Sequence, residues 1–135
     1  MADKIRYSDE HLWVRVDGDS ARIGITDFLQ EKLGEVMSVN LPEAGEEIER
    51  GEPLGEIETG GELRSLIAPV TGIVLEANPD IETQPSIVND DAQGEGWLLE
   101  IELRDEDEID ELLEFDDYES LIAGERDEDV DSDEE

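Results

Sequence analysis

The sequence predicts one small, mainly β domain of sandwich or barrel type, with short helices and an acidic C-terminal tail. Two observations carry that prediction. Between about residues 7 and 103, short runs of alternating character are broken by Gly- and Pro-containing turn signals about every 8 to 12 residues. The chain has 135 residues, 36% of them hydrophobic, a size that suits a single core.

Each element follows from local pattern. Leu12-Trp13-Val14-Arg15-Val16 alternates, Asp17-Gly18-Asp19 supplies a turn, and Ala21-Arg22-Ile23-Gly24-Ile25 alternates again, which reads as a hairpin. Thr26 then caps a short helix: Asp27 lies in its first turn, Leu29 and Leu33 share a face, and Gly34 ends it. Strands are expected over 36–41, briefly over 46–48, and then over 54–58, 63–68, 73–77 and 97–103. Turns fall at Pro42-Glu43-Ala44-Gly45, Arg50-Gly51-Glu52-Pro53, Thr59-Gly60-Gly61-Glu62 and Pro69-Val70-Thr71-Gly72. The paired glycines of the third turn suit a tight hairpin whose central residues need φ > 0. Beyond Leu103 the period becomes helical, with Ile109, Leu112 and Leu113 on one face and Tyr118, Leu121 and Ile122 on another.

Charge narrows the class of partner. The chain carries 42 acids against 9 bases, a formal −33. Residues 105–135 hold 18 acids and one base, but the preceding 104 residues are acidic too, with 24 acids and 8 bases. Lys4 and Lys32 are the only lysines. Such a surface repels nucleic acid and anionic lipid. It is also what a protein working in concentrated salt needs, because at about 1 M the Debye length falls to about 3 Å and self-repulsion is screened. A halophilic source is the expectation. Absence of Cys excludes disulfides, thiolate metal sites and thiol catalysis. No apolar run approaches a membrane span, and Met1 to Tyr7 reads as neither a secretory nor an organellar leader. A cytoplasmic, monomeric protein is expected.

Few residues carry catalytic chemistry. The single histidine, in Asp9-Glu10-His11, suits a general base or one metal ligand. Consecutive residues on a strand alternate in direction, however, and do not converge on one atom. A structural or partner-contact role is the expectation. Asp127 to Asp133 resembles the opening of an EF-hand loop but has Ser132 in place of the sixth-position Gly. Gly94-Glu95-Gly96 and Gly60-Gly61 lack the spacing of a phosphate-cradling loop. No metal site and no catalytic residue are expected.

The ordered set His11-x-Trp13-Val14, Gly24-Ile25-Thr26-Asp27, Leu33-Gly34, Leu41-Pro42-x-x-Gly45, Glu58-Thr59, Ala68-Pro69-Val70-Thr71-Gly72, Asn89-Asp90 and Gly94-Glu95-Gly96-Trp97-Leu98 resembles the H proteins of the glycine cleavage system, from Tyr7 to Ile122. The resemblance implies a biotinyl/lipoyl-like barrel-sandwich hybrid with short helices and a C-terminal helix. It makes residues 1–123 a lipoyl-type domain; the almost continuous acid of Asp127 to Glu135 makes 124–135 an expected disordered tail. In that family a hairpin-tip lysine, following Glu, Ser or Thr and one free position, carries lipoate through an amide. The dithiolane passes an aminomethyl group from glycine decarboxylase to an aminomethyltransferase, and dihydrolipoamide dehydrogenase reoxidises it.

Here Glu58 and Thr59 flank the motif, Gly60 takes the free position, and Gly61 stands at the lipoyl-lysine position. Gly61 has no side chain to acylate, and Arg64 does not substitute, since a protonated guanidinium is a poor nucleophile. Leu12 stands where the family usually shows Glu, and Asp91-Ala92-Gln93 replaces a Pro-Tyr region, both in segments that the family places near the carrier surface. The reading is therefore a lipoate-free binding or regulatory homologue with no cofactor, whose partners are those of the family. The alternative is a genuine carrier whose parent sequence has lysine at 61.

Overall fold

A computed structural model describes the backbone of residues 4–134 and the side chains of residues 5–124. The strands are β1 (Lys4–Tyr7), β2 (Leu12–Asp17), β3 (Ser20–Ile25), β4 (Val36–Asn40), β5 (Glu47–Ile48), β6 (Pro53–Thr59), β7 (Leu63–Ile67), β8 (Gly72–Ala77) and β9 (Leu99–Leu103). The helices are α1 (Asp27–Leu33), α2 (Pro79–Thr83), α3 (Ile87–Asp90), α4 (Asp107–Asp110) and α5 (Phe115–Glu134). Of the segment 124–135 expected to be disordered, the backbone of 124–134 belongs to α5, while the side chains of 125–135, the EF-hand-like stretch at 127–133 among them, lie outside the described residues.

The strands form two sheets, one of six in the order β1-β2-β3-β9-β8-β5 and one of three in the order β4-β6-β7. Every pairing is antiparallel. The alternation read in the sequence is the reason. Val14, Ala21, Ile23, Leu99 and Ile101 are all buried in the core that the two sheets enclose, together with Leu54, Ile57 and Leu66 of the smaller sheet. Each such Leu or Ile contributes about 1.5–3 kcal/mol on burial, by area.

A second cluster, Tyr7, Trp13, Phe28, Tyr118 and Ile122, docks the start of α5 on the larger sheet. Tyr7 and Leu113 exchange backbone hydrogen bonds at 2.8 and 2.7 Å, and the Tyr7 and Tyr118 rings stack at 4.8 Å. The helical face read at Tyr118 and Ile122 is thus a packing face, whereas of Ile109, Leu112 and Leu113 only Ile109 lies in a helix, α4, and Leu113 bridges to Tyr7.

Three side chains fix the smaller sheet's surroundings. Thr26 caps α1, accepting from Leu29 N–H at 3.3 Å, and Gly34 N–H closes the helix on the Gln30 carbonyl. Asn89 then joins three segments: its oxygen accepts from Val36 N–H at 2.8 Å, and its amide donates to Gln30 Oε1 and to the Gly34 carbonyl. Asn78 caps α2 and donates to the Glu95 and Trp97 carbonyls at 3.0 and 2.8 Å. Two of the family-like motif segments, Asn89-Asp90 and Gly94 to Leu98, therefore act as internal hydrogen-bonding joints.

Candidate functional site

The site is the turn that joins β6 to β7. Leu54, Ile57 and Thr59 of β6 and Leu66 of β7 are buried and root the hairpin in the core. Gly60, Gly61 and Glu62 stand exposed at its end. The turn closes on one acceptor, the Glu62 carbonyl, which receives the Thr59 N–H at 2.8 Å and the Thr59 hydroxyl at 3.3 Å. β4 flanks the hairpin, with Val36 opposite Thr59 and Ser38 opposite Glu58. The Ser38 hydroxyl donates to Glu58 Oε1 at 3.0 Å. The smaller sheet thus presents a braced tip to solvent.

One expectation is corrected here. Neither Gly60 nor Gly61 lies in the left-handed region, so the turn does not require φ > 0 at its glycines. Thr59 and Glu62 close it with conventional backbone. A Cβ at Gly61 meets nothing within 4 Å. Glycine at 61 is therefore demanded neither by backbone conformation nor by space. The tip offers no amine, so the residues present do not fit an amide-linked lipoyl arm.

The other singled-out residues lie elsewhere. His11 is buried, and its Nδ1 shares a 3.0 Å hydrogen bond with the Tyr118 hydroxyl, which in turn bonds Thr26 Oγ1 at 2.6 Å. The imidazole packs 4.8 Å from the Phe28 ring. His11 adopts φ 73° at the end of the β1–β2 turn, a conformation in which His is several-fold enriched. This is a joint between α1, α5 and the larger sheet. The pairing spans 107 residues and had no local sequence signal. Leu12 and Ala92, in segments expected near the carrier surface, are interior: Leu12 is fully buried in the core, and the Ala92 carbonyl accepts from Trp13 Nε1 at 3.0 Å. Among the described residues, no three His, Asp or Glu side chains are grouped to hold a metal ion, and no helix is long and apolar enough to cross a membrane.

A groove of about 350 Å³ opens far from the tip, between the β1–β2 turn, the end of β7 and the α4–α5 link. Arg50 forms an ion pair with Glu111 beside it, and that hydrogen bond raises the Arg50 pKa above its ordinary value. Burial raises the Tyr7 pKa above its ordinary 10.0. Both shifts hold the group in its usual state at neutral pH.

The braced β6–β7 hairpin, with its tip in solvent, is the feature that the family resemblance singles out. Comparison with known proteins shows the family. The family model described as Glycine cleavage H-protein matches residues 5–125. The glycine cleavage system H protein of Halalkalibacterium halodurans is 40% identical over 125 residues, covering 93% of this chain and 98% of the relative. That of Carboxydothermus hydrogenoformans is 43% identical over 121 residues, covering 90% and 93%. The crystal structure of a glycine cleavage system H protein from Mycobacterium marinum superposes with a TM-score of 0.82 at 31% identity, covering 91% of this chain and 99% of that one. The chain belongs to the glycine cleavage system H protein family. Its fold is the family's barrel-sandwich, and the family's role is that of a non-catalytic lipoyl carrier that moves an intermediate between partner enzymes.

Proposed function

We propose that this chain is a lipoate-free member of the family, one that docks on enzymes of the glycine cleavage system through its hairpin tip without carrying the aminomethyl group. The observation that carries this reading is Gly61. The motif flank Glu58-Thr59 is present, the scaffold that braces the hairpin is intact, and the arm-bearing position has no nucleophile. Glycine there answers to no steric or backbone requirement, so the absence of a lysine is a chemical rather than a structural property of the tip. A tip that keeps its shape and loses its amine retains recognition and loses transport. Such a protein acts by occupying the carrier's place on a partner. Its acidic, Cys-free composition suits a monomer in the cytoplasm and a source rich in salt.

The test is glycine decarboxylase activity with a lipoylated H protein as carrier. Added alone, this chain is expected to support no transfer. Added in excess, it should change the rate obtained with the lipoylated carrier. Transfer supported by this chain alone would contradict the reading, and an unchanged rate at saturating excess would remove the docking part of it.

A further inference from the structure

We propose that Met37 and Leu63 form the apolar anchor of a docking face at the hairpin tip, and that the matching surface is an apolar pocket on a protein partner rimmed by lysine or arginine side chains. This rests on the docking reading above. Among the described large apolar side chains, Leu63 and Met37 are the two most exposed, at 60% and 56%. Single exposed apolar residues are ordinary on a protein surface. These two share the three-stranded sheet and its tip end. Ser38, Glu58 and Leu63 form one row across β4, β6 and β7, and Met37 sits in the register shift just before Ser38. With one strand between them, the two chains that carry these residues run about 10 Å apart.

The rim has one sign. Glu35, Glu58 and Glu62 are exposed around the two apolar side chains, and Ser38 holds the Glu58 carboxylate in place. The hairpin's one base, Arg64, pairs opposite the buried Ile57 and so belongs to the other face. An apolar centre inside a charged rim is the anatomy of a protein interface. Its charge selects the occupant. A second copy, itself at −33, brings acid against acid and is repelled, whereas a basic rim is complementary.

The experiment is a binding titration of the full chain against recombinant aminomethyltransferase and glycine decarboxylase at low and molar KCl. The double variant M37S/L63S is expected to bind at least about tenfold more weakly to whichever enzyme the wild type binds. Leu75→Ser, which removes an exposed apolar residue on β8, should bind like the wild type. The pair E58K/E62K should weaken binding and reduce its salt dependence. All these positions are exposed, so an unchanged thermal midpoint verifies folding. Wild-type affinity in M37S/L63S overturns the anchor and leaves the docking reading standing, while unchanged binding by E58K/E62K overturns the basic rim. If the wild type binds neither enzyme, the docking reading fails and the anchor fails with it.

Discussion

At the scale of single residues, the proposed reading rests on Gly61, where neither backbone nor space demands glycine. Gly24, by contrast, is there for space. A Cβ at Gly24 would stand 2.6 Å from the Trp13 ring, so the indole occupies the room that a side chain would need. Gly24→Ala is therefore expected to destabilise by about 1–3 kcal/mol, measured as a shift in urea midpoint. Gly61→Lys should change stability by no more than about 0.5 kcal/mol, as for other unconstrained surface sites. A large loss in Gly61→Lys would mean that the turn conformation described here is wrong. Sequence located this residue correctly at a hairpin end, yet misjudged its backbone: a Gly-Gly pair suggests φ > 0, while the closure by Thr59 and Glu62 depends on where the strands pair. Leu12 lies in a segment that the resemblance places near the carrier surface, yet its side chain is in the core, because the resemblance places a segment and not which layer covers each side chain.

At the scale of elements, the strands from β2 onward and the capped helix α1 were legible because each is written locally, in alternation, in Thr26 and in Gly34, whereas β1 was not read. The helices α2 and α3 were not read, although Asn78 before Pro79 is a cap followed by a favoured first residue. They are five and four residues long, too short for a helical period to show. The docking of α5 was legible as a face at Tyr118 and Ile122, but not its partners, because Tyr7 and His11 lie more than a hundred residues away. That joint makes two predictions. Tyr118→Phe removes the hydrogen bonds to His11 and Thr26 and should cost about 1–3 kcal/mol, since buried polar groups lose a partner. Tyr7, with its pKa raised by burial, is bound as the neutral phenol. Its contribution is present below about pH 10 and is lost as pH rises through the raised folded value. The urea midpoint should be flat near neutrality and fall above about pH 10, with a smaller fall in Tyr7→Phe. An identical alkaline fall in that variant would contradict the assignment to Tyr7.

At the scale of the whole molecule, charge and fold pull in opposite directions. A barrel-sandwich of this size, with 26 buried apolar side chains among the described residues, closes a core while its surface carries most of a −33 charge. Self-repulsion opposes compaction at low ionic strength and is screened in concentrated salt. The thermal midpoint is thus expected to rise between low and molar KCl; a midpoint that ignores salt would contradict the halophilic reading. Motif order across the chain made the family legible before any coordinates, because a run of short signatures in fixed order is a global property. The proposed functional departure rests on one position in that order, Gly61. Intact mass after incubation of the full chain with lipoate ligase, ATP and lipoate tests that departure most directly. The mass is expected to stay unchanged while Gly61→Lys gains a single lipoyl group, and a lipoyl increment on the unsubstituted protein would contradict the account.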